Sequence, residues 1–223
     1  MDLSLWLRKC PIVAILRGIE PEEAESICTI LEGTGIVIVE VPLNSPNALS
    51  SIAILSRAFG DRMLIGAGTL TNPRQVTEVA AAGGRLIVTP HADTAIVRAA
   101  KAANLFAVPG FFNPTEAFSL LEAGADAIKL FPSEVLGIPM LKALQAVLPR
   151  NTIVIPVGGI DAERIAPWMA AGAFGVGVGS SIYKPGDTAV AVKAKAIGIM
   201  DAVRAYQSSV QVSKLGCDSR SSA

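Results

Sequence analysis

Three charged side chains stand at apolar segments of this sequence: Arg17, Glu40 and Lys129. Lys129 lies within AIKLFP, where strand alternation places it on one face with Ala127 and Phe131. Burial disfavours the ammonium form and lowers the pKa of a lysine, which leaves more free amine to attack a carbonyl carbon. Lys129 is therefore a candidate Schiff-base nucleophile. The alternative is a buried ion pair with Glu40, an arrangement that stabilises a fold poorly compared with apolar packing.

Glu40 is the only carboxylate within the predicted strands, in VIVEVPL. A carboxylate there can take a proton from a substrate hydroxyl and return it, as an aldol cleavage requires. The alternative is a carboxylate that only pairs with Arg17. Arg17 ends the first predicted strand, where its guanidinium can bind a substrate carboxylate, tune Glu40 or form a structural ion pair. The residues alone leave these three roles of Arg17 open.

Polar and glycine-rich positions follow three other predicted strands. Gly158-Gly159 follows the seventh, and Gly179-Ser180 follows the eighth. Barrel enzymes often bind phosphate at these two loops through backbone N–H groups, although tight turns also need glycine. Thr69 closes GAGT after the third strand, and it can contact a substrate oxygen or act as the N-cap of the helix near Pro73.

A repeating pattern of apolar segments must position these residues. Runs rich in Val, Ile and Leu recur about every 20 to 25 residues, with amphipathic helical stretches between them. Eight such units predict an α/β fold, a (β/α)8 TIM barrel, with its active site at the carboxyl ends of the strands. An open doubly wound sheet would usually show a glycine-rich dinucleotide turn where this chain has Arg17-Gly18. The predicted strands are PIVAIL from Pro11, VIVEVPL from Val37, LIGAGT from Leu64, LIVTP from Leu86, FAVPG from Phe106, AIKLFP from Ala127, IVIPVGG from Ile153 and GVGVGS from Gly175.

We expect a single barrel domain at residues 1–207. The segment around Leu3 to Leu7 is predicted to form a short extra N-terminal helix that closes the bottom of the barrel. Residues 208–223 are polar and lack apolar periodicity, which predicts a loose C-terminal tail.

Composition narrows the classes of partner. Nineteen Lys and Arg balance nineteen Asp and Glu, so no global field draws the chain to nucleic acid or to an acidic membrane. Three separated cysteines and the single histidine, His91, make a metal or disulfide framework improbable, and His91 is expected in a solvated loop. No apolar run reaches the ~18 to 20 residues of a membrane span, and MDLSLWLRKC lacks the apolar core of a signal peptide. We expect a cytoplasmic protein with small-molecule partners and no cofactor.

Several motifs, in order and over nearly the whole chain to about Tyr206, resemble one enzyme family. They are IVAILRGI, VEVPLNSP, LIGAGTL, LIVTP, VPG, EAGADAIKLFPSE, VGGI and GVGS. The family is that of the 2-keto-3-deoxy-6-phosphogluconate and 2-keto-3-deoxy-6-phosphogalactonate aldolases.

The resemblance implies a homotrimeric, metal-free class I aldolase. Its substrate would be a phosphorylated 2-keto-3-deoxy sugar acid, split into pyruvate and glyceraldehyde 3-phosphate. Lys129 matches the Schiff-base lysine and Glu40 the general acid/base. The substrate-binding positions that match are Arg17, Thr69, Gly158, Gly159, Gly179 and Ser180.

Two positions resemble the galactonate type more than the gluconate type. Asn44, in Pro42-Leu43-Asn44-Ser45, and Val157 stand where the gluconate type typically has arginine and threonine. Loss of a hydroxyl partner can shift discrimination between epimers. Phe111-Phe112 depart from the smaller residues usual in the family, which leaves the pocket size open. The other functions considered are gluconate cleavage, a phosphate-binding isomerase or epimerase, and a non-catalytic phosphosugar-binding barrel.

Overall fold

The apolar segments form short parallel strands whose two faces are both buried. Every residue of β1 Ile12–Ile15 and of β2 Ile38–Pro42 is buried, which is why these segments are apolar on both faces except at Glu40. The computed structural model describes the backbone of residues 2–218 and the side chains of residues 2–211. The remaining strands are β3 Leu64–Gly68, β4 Leu86–Val88, β5 Phe106–Val108, β6 Gly110–Phe111, β7 Ile128–Leu130, β8 Val154–Pro156 and β9 Val176–Val178.

The strands close into a barrel. One sheet has the order β5-β4-β3-β2-β1-β9 and the other β6-β7-β8. They meet through a bridge between Val157 and Gly177 and through the chain at Pro109, which separates β5 from β6. Pro109 has no N–H to donate, but its carbonyl oxygen accepts from the Lys129 N–H at 2.8 Å. Because β5 and β6 occupy one barrel position, the eight predicted strands and the (β/α)8 fold are confirmed.

Helices alternate with the strands and begin at the signals that the sequence carries. Asp93 and Asp161 cap α5 and α8 with their side chains, and Pro21 and Pro114 stand at the first positions of α2 and α6. A non-helical residue, Gly137 with φ +70°, interrupts α7. The helices are α1 Leu3–Lys9, α2 Pro21–Thr34, α3 Ala48–Phe59, α4 Arg74–Ala81, α5 Thr94–Ala102, α6 Pro114–Glu122, α7 Ser133–Gln145, α8 Ala162–Ala170 and α9 Ala189–Asp218.

Two apolar clusters hold these layers together. One lies between the barrel and the surrounding helices. The other fills the barrel interior, and Leu3 and Leu7 of α1 join it from the bottom with only 3% and 2% of their surface exposed. The predicted closing helix is therefore confirmed. The inward-facing members are Val13, Ile15, Ile38, Leu64, Leu86, Val88, Phe106, Val108, Ala127, Ile155 and Val157.

The last helix passes the predicted domain boundary. Residue 207 lies inside α9, whose 30 residues continue to Asp218, so the backbone at 208–218 is helical. Residues 219–223 and the side chains after residue 211 lie outside the described residues, so the looseness of the tail stays a prediction. No helix in the described part of the chain is long and apolar enough to cross a membrane.

Candidate active site

Glu40 and Lys129 lie inside the barrel, on strands that are far apart in sequence. Only 1% of Glu40 and 5% of Lys129 is exposed. Both line one interior space whose other walls are apolar. The Nζ of Lys129 lies 4.6 Å from the ring centroid of Phe131, which the strand places on the same face. The two charged side chains therefore share the barrel interior.

Burial changes the acidity of both groups. Loss of solvation raises the pKa of Glu40 to about 7, while the positive charges of Lys129 and Arg17 act in the opposite direction. Burial also lowers the pKa of Lys129, which the negative charge of Glu40 partly offsets and the positive charge of Arg17 reinforces. The two pKa values are thereby drawn toward each other, which favours proton exchange near neutral pH.

The charges are not locked in ion pairs. Within residues 2–211, every ion pair with a nitrogen–oxygen distance below 4.0 Å is formed by other side chains. Neither a Glu40–Lys129 nor a Glu40–Arg17 ion pair is therefore present. The Oε2 atom of Glu40 is buried without a hydrogen-bond partner. An unpaired buried carboxyl oxygen is costly, and such sites are expected where a group must remain available for chemistry.

A glycine leaves room for the Glu40 carboxyl group. A Cβ at Gly68 of β3 would lie 1.9 Å from Glu40 Oε2 and 2.3 Å from its Cδ. The sequence analysis did not single out Gly68. The signal was present, because glycine at alternate positions of a strand, as in Gly66 and Gly68, marks a close approach on one face.

Arg17 and Thr69 meet at the mouth of the barrel, beside Asn44. Arg17 Nη1 donates to Asn44 Oδ1 at 2.6 Å, and its Nη1 and Nη2 donate to Thr69 Oγ1 at 3.5 and 3.4 Å. Thr69 has φ +59°, which is unusual for a β-branched residue. The alternative prediction, that Thr69 is the N-cap of α4, is wrong, because the N-cap of that helix is Pro73.

The two glycine-rich loops line one cavity at the mouth, of about 370 Å³. Gly158 and Gly159 have φ of +113° and +64°, so both also need glycine for backbone reasons. Gly179 has room around its Cα and ordinary φ. The other wall residues are Ile15, Arg17, Gly18, Phe131, Val157, Ile160, Gly177, Ser180, Tyr183, Lys184 and Pro185.

Other residues considered from the sequence lie away from this cavity. Phe111 is buried among the helices and Phe112 is 49% exposed, so neither forms its wall. His91 is exposed, as expected, and lines a separate open cavity. Among the described side chains, no group of three or more His, Cys, Asp or Glu could hold a metal ion. Tyr183 was not anticipated, because its partner lies in a distant part of the chain.

Comparison with known proteins adds to this geometry. Residues 3–195 match the family described as KDPG and KHG aldolase. A curated relative from Escherichia coli (strain K12), 2-dehydro-3-deoxy-6-phosphogalactonate aldolase, is 43% identical over 206 residues, which is 92% of this chain and 99% of the relative. A solved structure described as "Native KDPGal structure" is 42% identical with a TM-score of 0.88, over 90% of this chain and 97% of that one. A cage designed "by fusing symmetric oligomeric domains" is 40% identical with a TM-score of 0.93, over 95% of this chain and 78% of that one.

Proposed function

This chain belongs to the KDPG and KHG aldolase family, and from that membership we propose that Lys129 and Glu40 are its catalytic residues. The protein is an aldolase, and so a lyase, that acts on a phosphorylated 2-keto-3-deoxy sugar acid. The substrate we assign is 2-dehydro-3-deoxy-6-phosphogalactonate, cleaved to pyruvate and glyceraldehyde 3-phosphate. The observation that carries the residue assignment is a buried amine and a buried carboxyl group whose pKa values move toward each other.

The proposed reaction begins at Lys129. Its neutral amine attacks the C2 carbonyl carbon of the substrate, and loss of water with uptake of one proton from solvent gives a protonated Schiff base, a proton that is released again when the Schiff base is hydrolysed. Glu40 takes the proton from the C4 hydroxyl. The C3–C4 bond then breaks, its electron pair flows into the Schiff base, and glyceraldehyde 3-phosphate leaves behind an enamine. Return of a proton from Glu40 to C3 and addition of water release pyruvate and restore the free amine.

The mouth of the barrel supplies the proposed binding groups. Arg17 and Thr69 would contact the carboxylate end of the substrate, since a guanidinium and a hydroxyl are suitable donors for carboxylate oxygens. The backbone N–H groups at Gly158, Gly159, Gly179 and Ser180 would bind the phosphate. Their loops line the same cavity as Arg17, which supports a substrate spanning the mouth.

The epimer assignment rests on two positions as well as on the relatives. Asn44 accepts a hydrogen bond from Arg17, whereas an arginine there would place a second positive charge beside the first. Val157 is a wall of both the interior and the mouth, and it offers no hydroxyl to the substrate. A site lacking such a partner discriminates differently between epimers.

Chemical trapping tests the Schiff base. Borohydride reduction in the presence of pyruvate should convert Lys129 to N-(1-carboxyethyl)lysine, detected by peptide mass spectrometry. Lys101, whose Nζ lies 2.6 Å from Asp126, is the control position and should stay unmodified. An unmodified Lys129, or a Lys129→Met variant that is still trapped, would contradict the assignment.

Kinetics on the two epimers test the substrate. The kcat/KM should be higher for the 6-phosphogalactonate derivative than for the 6-phosphogluconate derivative, and Val157→Thr should narrow the ratio. Equal values in the native protein, or a gluconate preference, would overturn the epimer assignment.

The other functions compatible with the residues alone are now disfavoured. Membership of a family of aldolases decides against an isomerase or epimerase and against a non-catalytic phosphosugar-binding barrel. Neither of those functions predicts a covalent pyruvate adduct.

The assembly we propose is a homotrimer in the cytoplasm. The similar designed cage is built from symmetric oligomeric domains, and this chain exposes large apolar side chains at Phe112, Phe118 and Val135. Free thiols at Cys10 and Cys28 are consistent with a reducing compartment. Light scattering should give the mass of three chains, and a monomer mass at micromolar concentration would contradict the trimer.

A further inference from the structure

Tyr183 lies where the proposed phosphate loop turns away from the barrel mouth. Its backbone N–H donates to the Gly179 carbonyl oxygen at 3.1 Å, and the Ile182 N–H donates to the same oxygen at 2.9 Å. These bonds fold the segment after β9 into one turn that carries Ser180. Only 2% of Tyr183 is exposed, although it forms part of the cavity wall.

The hydroxyl of Tyr183 reaches a different part of the chain. It donates to Glu23 Oε1 in the first turn of α2, and the same oxygen accepts from the Glu20 N–H at 3.2 Å. Burial first, and then the hydrogen bond and charge of Glu23, raise the pKa of Tyr183 well above its usual range. The phenol therefore remains a donor at every pH at which the protein would be assayed.

The loop before α2 is the one that carries Arg17. It also touches the other side of the phosphate loop, because a Cβ at Gly18 would lie 2.6 Å from Pro185 Cγ. Gly18 is fixed in turn by its N–H, which donates to Ser45 Oγ at 2.9 Å. The two loops are thus held together by one close contact and one side-chain hydrogen bond.

We propose that Tyr183 and Glu23 form a positioning pair that sets the spacing between the phosphate loop and the Arg17 loop. This rests on the proposed function, in which Arg17 binds the carboxylate end of the substrate and the Gly179-Ser180 loop binds its phosphate. A substrate held at both ends binds tightly only when the two anchors are correctly spaced, so a small displacement of one anchor weakens binding of a substrate that carries both anionic groups. The pair touches no reacting atom, so its effect is confined to substrates that use both anchors.

Removal of one hydroxyl tests the pair. Tyr183→Phe should raise the KM for the 6-phosphorylated substrate about tenfold with kcat within about twofold, since a hydrogen bond to a charged group is lost while the ring remains. The same sugar acid without its phosphate should show a kcat/KM within about twofold of the native value. Tyr206→Phe, which changes the other tyrosine of the chain in α9, is the matched control and should alter neither substrate.

Variants of the partner complete the test. Glu23→Ala should reproduce the rise in KM, while Glu23→Gln keeps an acceptor oxygen and should restore a nearly native KM. The double variant Tyr183→Phe with Glu23→Ala should be no worse than Glu23→Ala alone, because Glu23→Ala already removes the bond that Tyr183→Phe removes. If the Tyr183→Phe variant fails to fold, the Glu23 variants carry the comparison.

Three results would overturn the pair: an unchanged KM in Tyr183→Phe, equal losses on the phosphorylated and unphosphorylated substrates, or additive effects in the double variant. Failure of the proposed function looks different. In that case the native protein itself is not trapped at Lys129 by pyruvate and borohydride, or does not favour the phosphorylated substrate.

Discussion

Gly68→Ala is a small substitution that should disable Glu40, the proposed catalytic carboxyl group. The added Cβ would lie 1.9 Å from Glu40 Oε2, 2.3 Å from Cδ and 2.5 Å from Oε1, whereas ordinary contacts begin near 3.4 Å. Because Gly68 is on a buried strand paired to β2, the backbone cannot easily retreat. The Glu40 carboxyl group must therefore move by about 1.5 Å, the difference between the first of these distances and ordinary contact.

A displacement of this size has a predictable kinetic cost. A misplacement of about 1 Å can cost about 100-fold in rate, which corresponds to about 2.7 kcal/mol of barrier. We expect kcat for the phosphorylated sugar acid to fall at least about 100-fold. Trapping of pyruvate at Lys129 by borohydride should persist, because the new methyl group lies against Glu40 rather than against the amine.

The assay therefore pairs turnover with trapping on the same preparation. Pyruvate release is followed by coupled reduction, and the Lys129 adduct is measured by mass spectrometry. Gly33→Ala in α2 is the control, because a Cβ there meets nothing within 4 Å. A shorter acidic side chain should distinguish the steric effect of the new methyl group from its effect on catalysis. Adding Glu40→Asp to Gly68→Ala should recover part of the lost Tm without recovering kcat.

Retention of kcat within threefold in a folded Gly68→Ala variant would refute the reasoning, since Glu40 could then act from a displaced position or not at all. Loss of both turnover and trapping, with a large drop in Tm, would show instead that the substitution disrupts the barrel.

Three further predictions follow from burial. Glu40→Gln should abolish turnover and change the pH dependence of stability. Protonated Glu40 contributes stability that is complete below its unfolded pKa of 4.5 and is lost as the pH rises through about 7. The free energy of unfolding of the variant, relative to that of the native protein, should therefore increase between pH 5 and 8 by up to about 3 kcal/mol, and a difference that is independent of pH in urea titrations would contradict this prediction. Lys129→Met should abolish both pyruvate trapping and substrate cleavage. Because it removes a buried amine, it should also raise the free energy of unfolding at pH 6 by about 1 kcal/mol or more, and a Tm lower than that of the native protein would argue that the amine is structural. Leu7→Ala should lower the free energy of unfolding by about 2 to 4 kcal/mol and leave kcat nearly unchanged at low temperature, whereas Leu5→Ala on the same helix, with Leu5 60% exposed, should cost little.

Much of the fold could be predicted because its signals are local. Each strand is a short apolar run, and side-chain alternation places Lys129 on one face with Ala127 and Phe131, which the structure shows to be the inner one. The break of the fifth strand was not predicted, although its signal was local, since Pro109 cannot donate to a neighbouring strand. The end of α9 was missed because the polar residues after Tyr206 carry no apolar stripe, yet the backbone stays helical to Asp218.

The finer structure of the site could not be predicted because it depends on contacts between distant segments. The alternate glycines of β3 mark a close approach, but no local pattern reveals that its partner is the Glu40 carboxyl group, or that the Tyr183 hydroxyl meets Glu23 across 160 positions. Register fixes such pairs only after the barrel has closed. The choice among the roles of Arg17 was undecidable for the same reason, since its hydrogen bonds to Asn44 and Thr69 join three loops.

Helix α1 makes the two ends of the barrel different, because it closes one end and leaves the other open. Leu3 and Leu7 close one end of an interior where, among the described residues, the ionisable wall groups are Glu40 and Lys129, so we expect protons and water to reach those groups through the same opening as the substrate. We expect a substrate bound in that opening to block it. While it is bound, we expect the proton that the proposed base Glu40 takes from the C4 hydroxyl to exchange slowly with bulk water, and so to remain available for the carbon that needs it one step later. By closing the end of the barrel opposite the mouth, α1 thus restricts proton exchange of the two proposed catalytic groups to the side from which the substrate enters.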